Sequence, residues 1–241
     1  MRLTLISIIA LIILQGCGSD RFCDGFFYYK ITSDTTVSIT YRNKRNNYAT
    51  YSFKGTHKML LTVEIPEYTF NKGEKYKVTS IGEYAFWNSS NIKKVIIPNT
   101  CTVIDSAAFG LCNNLIDIKI PKSIKEINDY AFMNCEELIS INIPDSITKI
   151  NKGCFFCCKK LNSITIPTNI KSIEKHAFAL CDNLKYVYIP SSVINIDNES
   201  FYQCKKAKFY CEPSTQPTNW DKNWKDEANY VEWNNETQLI R

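Results

Sequence analysis

Residues 115–138, with the sequence LIDIKIPKSIKEINDYAFMNCEEL, contain one complete copy of a pattern that repeats every 23 residues. Ile-Pro pairs keep this spacing through most of the chain, and the count continues to Pro213. Their prolines are Pro98, Pro121, Pro144, Pro167 and Pro190. A fixed period of about 20 to 29 residues with leucine-type spacing indicates a repeat architecture. The sequence therefore predicts a solenoid.

Other residue types follow the same count. The aromatic column comprises Phe86, Phe109, Phe132, Phe155, Phe178 and Phe201. The cysteine column comprises Cys112, Cys135, Cys158, Cys181 and Cys204, with Ser89 in the first copy. A coil of this length cannot bury both faces of a strand and a turn by itself. We therefore expect each coil to bury its apolar side against the coils above and below.

Each coil divides into a strand and a return arc. Ile118 and Ile120 alternate with Asp117 and Lys119, as a half-buried strand requires, and the proline that follows ends the strand. In residues 123–138 the apolar side chains recur at spacings of three to four, which is the period of a short helical or irregular convex arc.

The pattern L-x-x-I-x-I-P-x-S-I-x-x-I-x-x-x-A-F-x-x-C-x-x-L over about residues 60–213 resembles the BspA-like family of leucine-rich repeats. Members of that family are mostly cell-surface proteins of anaerobic bacteria and of some mucosal protists. The resemblance implies an α/β solenoid that is mainly β with short convex helical turns. We expect a right-handed superhelix of about seven strands with a cap at each end.

Four segments are expected along the chain. Residues 1–16 form a lipoprotein signal peptide, and residues 17–58 contain an anchor cysteine, a linker and an amino-terminal β cap. Residues 59–213 form the repeat domain, and residues 214–241 a carboxy-terminal cap. Pro66 and Pro98 lie 32 residues apart, so one coil carries an insertion of nine residues.

The amino terminus has the features of a leader for export. Residues 3–14 are largely apolar, which is too short to span a bilayer and typical of a signal-peptide core. The sequence Leu14-Gln15-Gly16-Cys17 resembles the bacterial lipobox, which implies acylation of Cys17 and an anchor in the outer membrane or at the cell surface. The alternative is a plain secretory leader followed by an incidental cysteine.

Composition and cysteine usage narrow the function. The net charge of +5 is modest, and no aromatic-basic motif accompanies it, so we expect no nucleic-acid partner. Eleven cysteines occur, and those of the repeat column behave as buried weak donors in this interpretation. Two alternatives stay open, namely one or two disulfides involving Cys23 or Cys211, and a metal site, for which the spacing gives no support.

Catalysis has little support in the sequence. The chain has two histidines, His57 and His176, and neither belongs to an arrangement that resembles a catalytic triad. Nucleotide-binding glycine motifs and the H-E-x-x-H motif are absent from the sequence. We predict no catalytic residues, no cofactor and no metal ligands.

The outward side chains of the strands form the predicted binding surface. Their positions are Thr62/Glu64, Lys94/Ile96, Asp117/Lys119, Ser140/Asn142, Ser163/Thr165, Tyr186/Tyr188 and Phe209/Cys211. The predicted ligand-binding residues among and beside them are Tyr186, Tyr188, Phe209, Lys185, Lys208, Asn142 and Thr165. Exposed aromatic residues anchor protein interfaces and stack on sugar rings. In the competing interpretation, a cap containing Trp220, Trp224 and Trp233, or a neighbouring loop, covers Tyr188 and Phe209 as core of the last coil.

These observations predict a non-enzymatic surface protein that binds extracellular or host proteins through its strand face, with adhesion as the role that the resemblance implies. One alternative is a glycan-capture protein of a nutrient-uptake system, for which the aromatic strip would also serve. Another alternative is a structural component of the envelope.

Overall fold

A computed structural model describes residues 20–24, 27–40, 61–227 and 229–234, and its strands wind into a β-solenoid of about seven turns. The leader, Cys17 and His57 lie outside the described residues. The strands are β1 Arg21–Cys23, β2 Tyr28–Ser33, β3 Thr36–Thr40, β4 Leu61–Glu64, β5 Tyr68–Asn71, β6 Glu74–Ile81, β7 Ile92–Ile96, β8 Val103–Ile104, β9 Asp117–Lys119, β10 Glu126–Ile127, β11 Lys149–Ile150, β12 Ser163–Thr165, β13 Ser172–Ile173, β14 Tyr186–Ile189, β15 Asn195–Ile196, β16 Lys208–Cys211 and β17 Tyr230–Trp233.

Two ladders of parallel strands run along the solenoid. The first ladder, which we term the strand face, contains β4-β7-β9 and, further along, β12-β14-β16-β17. The second contains β6-β8-β10 and, further along, β11-β13-β15. Inward and outward side chains alternate along each strand, so Val95, Ile118, Ile164 and Val187 are buried between the ladders and the arc.

The core contains the columns that the period predicts. All six phenylalanines of the aromatic column are at most 1% exposed. Neighbouring rings of this column stack with their centroids 5.1–5.6 Å apart. Burial of one such side chain contributes about 1.5–3 kcal/mol, so the column is a large part of what holds the coils together. The predicted burial of this column is confirmed.

The return arc consists of consecutive turns. No helix occurs among the described residues, so the predicted helical turns are not confirmed. In one arc, the Ala131 N–H donates to the Asn128 carbonyl and the Cys135 N–H to the Phe132 carbonyl. The third residue of each turn, Tyr130 or Asn134, has a φ of 57°. Such i to i+3 turns with a left-handed third residue also place apolar side chains three to four residues apart.

The left-handed conformation recurs in every coil. One column comprises Tyr84, Ala107, Tyr130, Gly153, His176 and Glu199, and the other comprises Asn88, Leu111, Asn134, Cys157, Leu180 and Gln203. All twelve φ values lie between 51° and 61°. Two glycines on the arc leave space for an aromatic ring of the preceding coil. A Cβ on Gly153 would lie 2.3 Å from Tyr130 Cε1, and a Cβ on Gly110 would lie 2.3 Å from Trp87 Cζ3.

Hydrogen bonds join each arc to the next. The N–H groups of Tyr130, Phe132 and Asn134 donate to carbonyls of the following coil at 2.8–2.9 Å. The thiols of the cysteine column also connect the coils, because each donates to the carbonyl of a phenylalanine in the coil before at 3.0–3.3 Å. All five thiols are buried and outside disulfides, which confirms the prediction that they act as weak donors in the core.

The nine-residue insertion is a β-hairpin. β5 and β6 pair antiparallel around Lys72 and Gly73, whose φ values of 51° and 89° match a type I′ turn. β6 also pairs with β3, so the antiparallel strands β1, β2 and β3 continue the second ladder beyond its first coil. These strands cover a sheet edge that would otherwise be open.

Both ladders are interrupted in the coil of residues 138–151. Residues 139–143 form no ladder strand between β9 and β12, and β10 does not pair with β11. Side chains bridge this gap instead: Asn151 Nδ2 donates to the Ile127 carbonyl at 2.6 Å, and the Ser146 hydroxyl donates to the Ile124 carbonyl. We term this region, residues 125–128 and 147–151, the seam.

Candidate binding surface

The first half of the strand face is charged or polar. Lys94 Nζ and Asp117 Oδ2 form a salt bridge of 2.7 Å, and both side chains are partly exposed. Such surface pairs contribute at most about 1 kcal/mol. Small polar residues follow in the middle of the face, namely Ser140, Asn142, Ser163 and Thr165, all of them exposed. Its outward apolar side chains are single aliphatic residues, such as the half-buried Ile96 and the exposed Ile139, and its described residues form no aromatic cluster.

Four tyrosines lie together at the carboxy-terminal end of the strand face, and we term Tyr186, Tyr188, Tyr210 and Tyr230 the tyrosine cluster. Tyr186 is 44% and Tyr230 54% exposed, whereas Tyr188 and Tyr210 are half-buried. The rings of Tyr188 and Tyr210 stack, with centroids 5.2 Å apart and planes 20° apart. The ring centroid of Tyr210 also lies 6.4 Å from that of Tyr186. Tyr186, Tyr188 and Tyr210 thus form one continuous aromatic surface, and Tyr230 lies on the next strand beside it.

Charged groups accompany the cluster. The strand register puts Lys208 between Tyr186 and Tyr230 on the outer surface, and it puts Tyr210 beside Glu232. The Tyr230 hydroxyl donates to Glu232 Oε2 at 3.3 Å. The nearby Glu232 carboxylate, more than partial desolvation, raises the pKa of Tyr230. The phenol therefore stays protonated at neutral pH, and its single O–H donates to Glu232.

The prediction that Phe209 and Cys211 point outward is wrong. Both side chains are fully buried, and Phe209 packs against the Trp224 ring with centroids 4.8 Å apart. Tyr210 takes the outward position in their strand. The cause is a change of register: Ser163 pairs with Tyr186, 23 residues on, whereas Tyr186 pairs with Lys208, only 22 residues on. A strict count of 23 assigns the wrong face to every residue beyond this point.

The other predicted binding residues lie outward. Tyr186, Tyr188, Lys185 and Lys208 are exposed or half-buried at the carboxy-terminal end, and Thr165 pairs with Tyr188. Asn142 is exposed in the coil of residues 138–151, which lies beyond β12 from the cluster. The structure thus brings five of the predicted residues to one end of the face and leaves Asn142 apart.

The sequence contains signals for the two tyrosines that were missed. In β16 the apolar Phe209 and Cys211 alternate with Lys208 and Tyr210, which predicts the observed orientation. The count of 23 would also place the Glu212 carboxylate where earlier coils bury an isoleucine, as at Ile189. Tyr230 belongs to β17, a strand that continues the ladder within the segment that was predicted to be a cap.

The closing tryptophans pack under the sheet and leave the tyrosine cluster uncovered. Trp224 is 1% exposed and lies edge-on to Phe201 and Phe209. Trp220 is 3% exposed, and its Nε1 donates to the Val193 carbonyl at 3.2 Å. The competing interpretation therefore holds for Phe209, which is core, whereas Tyr188 is half-buried and stacks on Tyr210.

The described residues show little reactive chemistry. Within them, no group of three or more His, Cys, Asp and Glu side chains is placed to hold a metal ion. His176 Nε2 lies 2.8 Å from Glu199 Oε2 on the arc, where Lys175 also pairs with that carboxylate. Burial raises the pKa of the Cys101 and Cys112 thiols to about 12, so they remain protonated.

A polar cavity lies at the seam. Its cavity has a volume of about 240 Å³ and polar walls that include Lys125, Asn128, Thr148 and Asn151. Ligand pockets usually have volumes of about 300–1,000 Å³ and mostly apolar walls. Of the two surfaces, the tyrosine cluster is therefore the better candidate for recognition.

The coils are about 23 residues long, carry a ladder of short parallel strands on one side and enclose a column of phenylalanines. These features define a leucine-rich repeat protein. The family model for the BspA type leucine-rich repeat region matches residues 79–208 in six copies. The chain therefore belongs to the BspA-type leucine-rich repeat family, and the predicted resemblance is confirmed. Leucine-rich repeat proteins of this kind are generally non-enzymatic.

Solved structures share the fold. A leucine-rich repeat protein of T. pallidum aligns over 87% of this chain and 85% of its own, with 23% identity and a TM-score of 0.65. A leucine-rich cell surface protein of Faecalibacterium prausnitzii A2-165 aligns over 86% of this chain and 58% of its own, with 24% identity and a TM-score of 0.65. No curated protein matches the chain significantly. Across the described ranges, no helix is long and apolar enough to cross a bilayer.

Proposed function

We propose that this protein is a non-enzymatic, lipid-anchored surface protein that binds an extracellular or host protein through the tyrosine cluster. Membership of the BspA-type family supports a role in protein interaction. The fold is shared with a protein described as a cell surface protein, which supports an external location. The leader and the lipobox-like sequence ending at Cys17 support an anchor in the outer membrane or at the cell surface.

The observation that carries the proposal is a group of four tyrosines on a sheet, of which Tyr186 and Tyr230 are exposed and the other two half-buried. Tyrosine provides a large contact area at low entropic cost because it has only two side-chain torsions. The backbone beneath the cluster is fixed by three adjacent parallel strands, β14, β16 and β17. Lys185 and Lys208 add positive charge beside the rings, which favours a partner with acidic groups at the edge of its interface.

Ring geometry favours a protein over a glycan as the ligand. Sugar rings stack on exposed aromatic faces, but the faces of Tyr188 and Tyr210 that point at one another are already covered by their mutual stacking. Their edges and hydroxyl groups remain available, and these suit the hydrogen-bonded and apolar contacts of a protein interface. Glycan capture is the alternative that the experiment must separate.

The test is binding of the lipid-free chain, residues 18–241, to an array of extracellular proteins and glycans. We expect protein ligands, and we expect the Tyr186→Ala/Tyr210→Ala variant to lose at least about 2 kcal/mol of binding free energy, as for interface anchors. The matched control is Tyr84→Ala/Tyr202→Ala, which removes two tyrosines of similar exposure, 41% and 43%, from the arc.

The outcomes separate the hypotheses. Glycan ligands that are lost in the first variant and retained in the control would replace the protein partner with a sugar. Ligands retained in both variants, or an array without ligands, would contradict a binding role for the tyrosine cluster.

A further inference from the structure

The inserted hairpin has two different faces. Its register pairs Tyr68 with Lys77 and Phe70 with Lys75, so these four side chains share one face. The opposite face is packed, because Thr69 is 4% exposed and the Tyr76 ring lies 5.8 Å from Phe22. Phe70 is 63% exposed, the largest value among the exposed large hydrophobic side chains of the described residues.

Further basic residues lie on the same side of the sheet in β1 and β2, which β3 separates from the hairpin. Phe22 and Tyr29 are register partners that point inward, so the neighbouring pair Arg21 and Lys30 lies on the outer side. Lys75 and Lys77 are exposed on the same side, and Lys75 Nζ lies 3.9 Å from the centroid of the Tyr68 ring.

Acidic residues flank this surface, since Asp20, Asp34 and Glu67 are exposed in the segments next to its strands. Within the described strands β1, β2, β5 and β6, the single acidic residue is Glu74, which pairs with Asn71 next to the turn. We term the outward side chains of Tyr68, Phe70, Lys75, Lys77, Arg21 and Lys30 the basic-aromatic face.

The position of the proposed anchor brings this face close to a membrane. Cys17 precedes Arg21, the first residue of β1, by four residues, which span at most about 14 Å when extended. β1 is in turn packed on the hairpin through Phe22 and Tyr76. Acyl chains on Cys17 would therefore hold the amino-terminal sheet, and not the tyrosine cluster, next to the headgroups.

We propose that the basic-aromatic face docks on the headgroup region of an anionic bilayer. Phe70 and Tyr68 enter the interface between headgroups and acyl chains, and Lys30, Lys75 and Lys77 contact lipid phosphates. This proposal rests on the lipid anchor of the proposed function and deepens it. Docking would leave the tyrosine cluster uncovered, because the cluster lies on the other ladder, in the last coils.

The experiment measures sedimentation of the lipid-free chain, residues 18–241, with vesicles of phosphatidylcholine and phosphatidylglycerol, and with vesicles of phosphatidylcholine alone. We expect binding to the anionic vesicles, with at least about tenfold weaker binding for Lys75→Glu/Lys77→Glu and for Phe70→Ser. The matched control is Lys205→Glu/Lys206→Glu, which reverses two exposed lysines near the other end of the solenoid and should bind as the unmodified chain does.

A second readout follows the aromatic side chain directly. The unmodified chain has four tryptophans, so the readout is the difference in emission between Phe70→Trp and the unmodified chain. We expect this difference emission to shift to shorter wavelength with anionic vesicles, which a role in folding alone would not produce. The proposal is overturned if the chain does not bind anionic vesicles, if both reversals weaken binding equally, or if that emission does not shift.

A separate experiment tests whether Cys17 is acylated, so that failure of the lipid anchor can be distinguished from failure of the docking face. Mass spectrometry of the protein from its membrane fraction, compared with Cys17→Ser, reports acylation and does not depend on the hairpin. A chain without acyl groups that still binds anionic vesicles would overturn the anchor and support the docking face. An acylated chain whose lipid-free form does not bind would overturn the docking face alone.

Discussion

The arc and the strand face of this solenoid are made by the same coils but follow the repeat to different degrees. On the arc, the left-handed turns, the stacked phenylalanines and the hydrogen-bonded thiols recur in step along the described coils. On the strand face, the ladder is interrupted at residues 139–143, and the register shortens by one residue at β16. The arc therefore holds the coils together, and the strand face has room to vary.

This difference assigns stability and recognition to opposite sides of the molecule. The phenylalanine and cysteine columns of the arc are buried against the coils above and below, so a change in one of these side chains affects two interfaces at once. Outward side chains of the strands contact mainly one another and solvent, so they can change with little effect on folding. The tyrosine cluster lies on this permissive side.

The largest expected effect is on the arc. Phe132→Ala removes a fully buried ring that stacks on Phe109 and Phe155, and we expect it to lower the free energy of unfolding by about 3–5 kcal/mol. Tyr186→Ala on the strand face should change it by less than about 1 kcal/mol. Urea unfolding followed by circular dichroism measures both. Equal losses in the two variants would remove the distinction between the two sides.

Alkaline pH is expected to have an intermediate effect on the free energy of unfolding. The Cys112 pKa is raised by burial from its ordinary value of 9.0 to about 12, so above pH 9 the unfolded chain loses this proton before the folded one does. Stability is therefore complete below about pH 9 and falls by about 1.4 kcal/mol per pH unit for this thiol until about pH 12.

The Cys112→Ala variant isolates this contribution. Thermal unfolding between pH 8 and 11 should show a shallower loss of stability with rising pH than in the unmodified chain. Cys157→Ala, at a half-exposed position of the arc, should change this slope less. An unchanged slope in Cys112→Ala would show that burial of this thiol does not couple folding to pH.

The smallest expected effect compares the two sides within a single coil. The amides of Tyr130, Phe132 and Asn134 are bonded to the next arc, whereas residues 139–143 lack ladder pairing. We expect amide hydrogen exchange to be about tenfold faster in residues 139–143 than at these three positions and than in β14. Uniform protection around the coil would mean that the ladder is continuous in solution.

The sequence predicts the arc well because each buried column of the arc keeps the 23-residue spacing and a single chemical type of side chain. Phe132, Cys135 and Leu138 are fully buried, as their spacing indicates. The helical interpretation failed for a physical reason: turns with a left-handed third residue reproduce the apolar spacing of a helix without its hydrogen bonds. Tyr130 at a φ of 57° shows that this conformation is imposed by stacking and not by local preference.

The strand face was predicted less well because its register depends on pairing between coils. Counting from the prolines assigned Phe209 to the surface, whereas the alternation within β16 assigns it to the core. Local alternation was the better guide, since a single missing residue reverses every side chain after it. The interruption at residues 139–143 has no comparable signal, because residues 139–143 alternate as the neighbouring strands do.

The rings that rest on glycine have a consequence for how such a chain changes length over generations. Tyr130 occupies the space that a Cβ of Gly153 would need, and Trp87 does the same at Gly110. Adjacent coils are therefore matched pairs and not interchangeable copies. Loss of residues 138–160 through unequal recombination would set Tyr130 against His176. Recombination events that preserve this contact must therefore add or remove the ring-bearing coil together with the coil that carries its glycine partner.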